Sequence, residues 1–246
     1  MNFMDIQTQT VNLQNGDFTL PAYLAMPKGD GPFAAIVVLQ EIFGVNAHIR
    51  DVTERIAREG YVAIAPALYH RQAPGFETGY TPEDIEIGRQ YKVQTQTNEL
   101  LGDIQAAIDY VKALSQVQSG SIGSIGFCFG GHVAYLAATL RDTVAVASFY
   151  GAGIPDSTFG EGPPTITLTP KISGTIYAFF GTEDASIPPK AVTRIEAVLK
   201  QSNIDHQIFR YEGAGHGFFC DRRGSYNPDA AADAWEKAKS LFAEKL

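Results

Sequence analysis

Cysteine occurs only twice in 246 residues, tryptophan once and methionine three times. Two thiols, Cys128 and Cys220, cannot build a disulfide framework, so a hydrophobic core must hold the chain together, and a reducing compartment keeps both as thiols. Long hydrophobic runs are also missing. The longest, Ala34 to Leu39 and Val144 to Phe149, are strand-length and far short of a bilayer span. Positive charge is in deficit, with 19 basic against 27 acidic residues and a formal charge of -8, which leaves no electrostatic footprint for nucleic acid or an anionic membrane. The first residues, Met1-Asn2-Phe3-Met4-Asp5, carry neither a basic segment nor an apolar one, so no cleaved signal is expected and the location is read as cytoplasmic. The spacings HxH, HExxH, CxxC, GxxxxGK[ST] and GxGxxG do not occur as site motifs, and no metal and no cofactor is expected.

What is present is a chain with 45% hydrophobic and 19% charged residues, long enough for one large core, and it reads as a single α/β domain over residues 1–246 and as a monomer. Thr10 to Leu13 and Phe18 to Met26 flank the turn pair Asn15-Gly16, which predicts an antiparallel hairpin. The unbroken apolar run Ala34 to Leu39 predicts a strand buried on both faces. A helix follows from His48 to Glu59, with Ile49, Val52, Ile56 and Ala57 on one face and Gly60 at its stop. The alternation continues with a strand Tyr61 to Ala65, a helical stretch Pro82 to Leu114, a strand Ser121 to Phe127, a helix Gly131 to Leu140 and a strand Val144 to Phe149. After the irregular Gly/Pro-rich segment Gly151 to Ser173 come a strand Thr175 to Phe180, a helix Pro189 to Gln201, a strand His206 to Tyr211 and a final helix Asp229 to Leu246. Such alternation predicts a mostly parallel, twisted sheet with helices on both faces.

The hexapeptide Gly126-Phe127-Cys128-Phe129-Gly130-Gly131 falls where a strand gives way to a helix. A strand-to-helix turn tight enough to lift a reactive side chain above the sheet needs glycines on either side, and here the lifted group is a thiol. Reactive groups of open α/β sheets gather at the carboxyl ends of strands. Four residues qualify: Glu41 after the third apolar run, Cys128 at the turn, Asp184 in Gly181-Thr182-Glu183-Asp184, and His216 in Gly213-Ala214-Gly215-His216-Gly217-Phe218. The chain order nucleophile, acid, histidine is that of α/β-hydrolases. Helix capping near Pro188-Pro189 competes for Asp184, and Glu183 is a rival acid. A thiol at neutral pH is mostly protonated, so Cys128 needs the imidazole of His216 and a helix N-terminus beside it. The amides of Ile42 and Phe129 are placed to hold an oxyanion.

With Leu39-Gln40-Glu41-Ile42-Phe43-Gly44, the cysteine hexapeptide, Gly181 to Asp184 and Gly215-His216-Gly217-Phe218 together, the chain resembles the dienelactone hydrolase family over nearly its whole length. The resemblance implies an α/β-hydrolase fold and a Cys-Asp-His triad that cleaves a lactone or activated ester through an acyl-thiol intermediate. It also implies that Glu41 interacts with the thiol and assists its deprotonation. Phe43, Arg89, Tyr150 and Arg222 are the expected substrate-binding residues, although the family places an arginine closer behind the histidine, where this chain has Cys220. The partners expected are a small ester or lactone and water. The alternative is a thiol-based ligand-binding or redox-sensing protein on the same fold, with Cys220 either a buried spacer or a second thiol that oxidation could join to Cys128.

Overall fold

The computed structural model describes residues 4–246; Met1, Asn2 and Phe3, which head the segment read above for a signal, lie outside the described residues. Along the chain run β1 (Ile6–Asn15), β2 (Phe18–Pro27), β3 (Phe33–Leu39), α1 (Ala47–Arg58), β4 (Val62–Pro66), α2 (Pro82–Lys92), α3 (Thr97–Lys112), β5 (Val117–Phe127), α4 (Phe129–Ala137), β6 (Thr143–Phe149), β7 (Thr175–Gly181), α5 (Pro189–Gln201), β8 (His206–Tyr211) and α6 (Pro228–Lys245). The strands make one sheet in the order β1-β2-β4-β3-β5-β6-β7-β8. The hairpin β1–β2 and the β2–β4 pairing are antiparallel, and every pairing from β4 to β8 is parallel.

The apolar runs explain the order. Ala35 to Leu39 of β3 are fully buried, as are Ile122, Ile125 and Phe127 of β5 and Ala145, Val146, Ala147 and Phe149 of β6. Strands with no polar face have to lie in the middle of a covered sheet, where each Val, Leu or Ile side chain contributes about 1.5–3 kcal/mol by leaving water. The outer strands β1 and β8 consist almost wholly of exposed or half-buried residues, which suits the two edges. The helix α1 turns Ile49, Val52, Ile56 and Ala57 inward, and the side chain of Asn46 caps it by accepting from the amides of His48 and Ile49.

The stretch Pro82 to Leu114 differs from its sequence reading by breaking into two helices. A capping box between Thr81 and Asp84 starts α2, while the amide of Thr97 donates to Phe159 O at 2.9 Å. That bond ties the start of α3 to the Gly/Pro-rich segment and takes the amide out of a continuous helical ladder; Val93, just before the break, is 77% exposed. Within the segment read as irregular, Thr165–Lys171 forms a short 3-10 turn. No helix among the described residues is long and apolar enough to cross a membrane.

Candidate active site

The carboxyl ends of β3, β5, β7 and β8 carry the four residues singled out above. At the end of β5 the chain reverses through Cys128, whose φ of 55° and ψ of -112° lie where a non-glycine residue is strained. The turn closes because its flanks have no side chains: a Cβ on Gly126 would stand 1.9 Å from Gly130 O, and one on Gly130 would stand 2.2 Å from Leu39 O. The Cys128 amide donates to Phe149 O at 3.0 Å and its carbonyl accepts from His132. The elbow is thus fastened both to β6 and to the first turn of α4.

From β8 a turn returns His216 to the thiol. His216 Nε2 lies 3.1 Å from Cys128 Sγ, and His216 Nδ1 donates to Asp184 Oδ2 at 2.7 Å. The other Asp184 oxygen accepts from the Ser186 amide at 2.8 Å. Asp184 is buried and its neighbour Glu183 is exposed. The cap of α5 is Pro188, without a side-chain bond, so the Asp184 carboxylate is engaged with His216 and Ser186 instead. Cys128 and His216 remain partly open to solvent. Burial opposes ionisation of the Cys128 thiol, but the charge and hydrogen bond of His216 outweigh it and the net shift is downward. For His216 burial likewise disfavours the charged form, and the attraction of Cys128 and Asp184 reverses that, raising it above the usual imidazole range. The two shifts are two sides of one interaction, in which each group favours the charged form of the other.

Glu41 is 1% exposed, and burial raises its pKa against the pull of Arg223 and His216. Its Oε1 accepts from Arg223 Nη1 at 3.1 Å, while Oε2 has no hydrogen-bond partner among the described residues. The carboxylate therefore engages an arginine, while the thiol engages His216. Arg223 is the residue that sequence reasoning missed, having favoured its neighbour. A signal for it exists in Gly217: a Cβ there would lie 2.3 Å from Arg223 Nη1, so the glycine after His216 is what lets the guanidinium through.

The amide of Phe129 opens α4, and the Ile42 amide lies in the loop after β3; neither donates to a backbone carbonyl outside the regular elements among the described residues. The helix α2 supports that loop from behind, since a Cβ on Gly88 would meet Ile42 O at 2.3 Å. Of the expected substrate-binding residues, Phe43 is 1% exposed and packs edge-on to Tyr80 at 4.7 Å between centroids, with Arg223 over its face. Tyr150 is buried at a positive φ of 37°, its ring 5.3 Å from that of His216 and its hydroxyl unpartnered among the described residues. Arg89 and Arg222 are both exposed, Arg89 on α2 and Arg222 at a cleft beside His48 and Tyr80. Cys220 is fully buried, its Sγ 3.5 Å from the Tyr80 hydroxyl, and burial pushes its pKa to about 11. His48, also buried, is lowered to about 4 by burial and then by the nearby Arg55, which keeps its ring neutral.

An eight-stranded, mostly parallel sheet that presents a thiol on a glycine-flanked elbow, with a histidine and an aspartate arriving from later strand ends, has the α/β-hydrolase fold. Comparison with known proteins narrows the class. The family model described as dienelactone hydrolase family matches residues 20–246. A Synechocystis protein provisionally named carboxymethylenebutenolidase is 56% identical over 243 residues, covering 99% of each chain. A provisionally named Escherichia coli carboxymethylenebutenolidase is 33% identical, covering 91% of this chain and 82% of its own. Among solved structures, a provisionally named dienelactone hydrolase of Klebsiella pneumoniae superposes with a TM-score of 0.88 at 30% identity, over 98% of this chain and 99% of that one. The chain belongs to the dienelactone hydrolase family of carboxylic ester hydrolases.

Proposed function

We propose that the protein hydrolyses a lactone or activated carboxylic ester, of the enol-lactone kind its relatives are named for, through a Cys128–His216–Asp184 triad. The observation that carries this reading is the continuous line from Asp184 Oδ2 through His216 to Cys128 Sγ, with contacts of 2.7 and 3.1 Å. The Cys128 thiolate attacks the carbonyl carbon, and the amides of Phe129 and Ile42 receive the oxyanion. Collapse breaks the C–O bond, and the departing oxygen takes the proton from His216 Nε2. Water then attacks the thioester while giving a proton back to His216, and collapse expels the thiolate, restoring the ion pair and releasing the acid. A thiolate is a better leaving group than an alkoxide, so the first intermediate of an ordinary alkyl ester reverts. Enolates and aryl oxides leave more readily, and activated substrates are therefore preferred.

Glu41 stands close enough to the ion pair for its charge to act on both members. That charge by itself raises the Cys128 pKa, and the ion pair with Arg223 offsets it, so in this reading Glu41 assists ionisation of the thiol only as an acceptor of its proton. The test is steady-state turnover of an aryl acetate and an enol lactone by the purified protein and by Cys128→Ala. Turnover that disappears in the variant supports the reading; no turnover by the parent protein, or equal turnover in both, overturns it.

A further inference from the structure

Beside the proposed catalytic groups, three side chains of different chemistry converge on one point. Glu41 comes from the loop after β3, His48 from the first turn of α1 and Cys220 from the loop between β8 and α6. Each is 1% exposed or less, and one donor atom from each lies within 4.8 Å of the other two. Two of these side chains hold an orphan: Glu41 Oε2 and His48 Nε2 are buried with no hydrogen-bond partner among the described residues. Buried polar atoms without partners are exceptional in folded proteins, and two on neighbouring side chains call for an occupant.

We propose that Glu41, His48 and Cys220 form a binding site for a borderline-soft divalent cation of the zinc class, separate from the Cys128–His216 pair and sharing Glu41 with its surroundings. One carboxylate oxygen, one imidazole nitrogen and one thiolate sulfur suit zinc or cadmium, whereas magnesium and calcium would have to accept a thiolate. Bond lengths of about 2.0–2.3 Å put tetrahedral ligand atoms about 3.3–3.8 Å apart, so donors within 4.8 Å of one another need close by no more than about 1.5 Å. Charge balances as well, since carboxylate and thiolate offset the dication. The opposite ring nitrogen, His48 Nδ1, faces Asp221 Oδ1 at 4.0 Å, the side from which a carboxylate orients a ligating imidazole. A cleft of about 270 Å³ lined by Asn46, His48, Tyr80 and Arg222 has one of the three ligands, His48, in its wall.

The chain has two cysteines, so in a Cys128→Ser protein Cys220 is the sole thiol. Titration of that folded variant with cadmium should raise an ultraviolet thiolate-to-metal charge-transfer band that saturates at one ion per chain. Adding His48→Gln should weaken binding at least about tenfold; should that protein fail to fold by circular dichroism, Glu41→Gln in its place should do the same. No band in folded Cys128→Ser protein, or a band of unchanged affinity after the second substitution, overturns the proposal and leaves the orphan atoms to water. The measurement uses no substrate, so its failure and the failure of the hydrolytic reading are separate results.

Discussion

Asp184→Asn tests whether the proposed thiolate–imidazolium pair depends on the buried carboxylate. The geometry fixes which way an asparagine must face: the position of Oδ1 receives the Ser186 amide at 2.8 Å, so an oxygen is required there, and the NH2 group is left against His216 Nδ1. A donor facing Nδ1 forces that nitrogen to accept and moves the ring proton to Nε2, where it meets the thiol instead of receiving the thiol's proton. One hydrogen bond between charged groups is lost, about 1.5–3 kcal/mol, and that converts into roughly one to two pKa units of weaker proton affinity at His216. The Cys128 thiol should rise towards the ordinary range by a similar amount. A thiol of pKa about 8.5 is only about 3% ionised at pH 7, so alkylation by iodoacetamide should slow by up to ~30-fold there and recover as the pH is raised. Turnover should fall further, by about 10²–10⁴, because the leaving group also loses its proton donor. The assay is alkylation rate against pH in parallel with aryl acetate turnover, with circular dichroism to show that the fold is kept. An alkylation midpoint that does not move would refute the argument, since the ion pair would then owe nothing to Asp184.

Glu41→Gln should slow the acylation burst while leaving the fold intact, and an unchanged burst rate in stopped-flow with an aryl acetate would reject its role. Arg223→Met removes the partner of a buried carboxylate and should destabilise the protein by about 3–5 kcal/mol at pH 8. Because burial raises the Glu41 pKa, the folded state holds its proton where the unfolded chain has lost it, so this group's stability contribution falls as pH rises through that window. The loss should accordingly be smaller at pH 5 than at pH 8 by urea denaturation, and an equal loss at both contradicts the assignment. Gly126→Ala puts a methyl within 1.9 Å of Gly130 O and should cost about 1–3 kcal/mol and most of the activity; a parental melting temperature would be the contrary result.

How much of this was legible in the sequence depends on what carried the information. Buried strands announce themselves, since Ala34 to Leu39 has no polar alternate and can only lie inside a covered sheet. Positions after such strands are legible for the same reason, and Glu41, Cys128, Asp184 and His216 all follow from the topology. The break at Val93 to Gln96 was not, because it contains neither Gly nor Pro and arises from a distant acceptor, Phe159 O, on the Thr97 amide. The preference for Arg222 over Arg223 has no physical basis in the sequence, because a loop has no period that assigns neighbours to faces. The meeting of His48 and Cys220 at Glu41 joins residues far apart in the chain, and no spacing encodes it.

The strain at the elbow is shared. Cys128 and Tyr150 both have positive φ, at the ends of the adjacent strands β5 and β6. Each is held by a backbone bond to the next strand along, Cys128 N–H to Phe149 O and Tyr150 N–H to Phe179 O, at 3.0 and 2.8 Å. The pose of Cys128 is therefore borrowed from β6, and the pose of the ring beside His216 from β7. Loosening the tip of β6, which carries both the acceptor of Cys128 and Tyr150 itself, lets both residues relax to ordinary backbone angles. Reactivity should consequently fade in a partial opening of the sheet's rim, at a lower free energy than global unfolding, while the buried strand centres remain protected from hydrogen exchange.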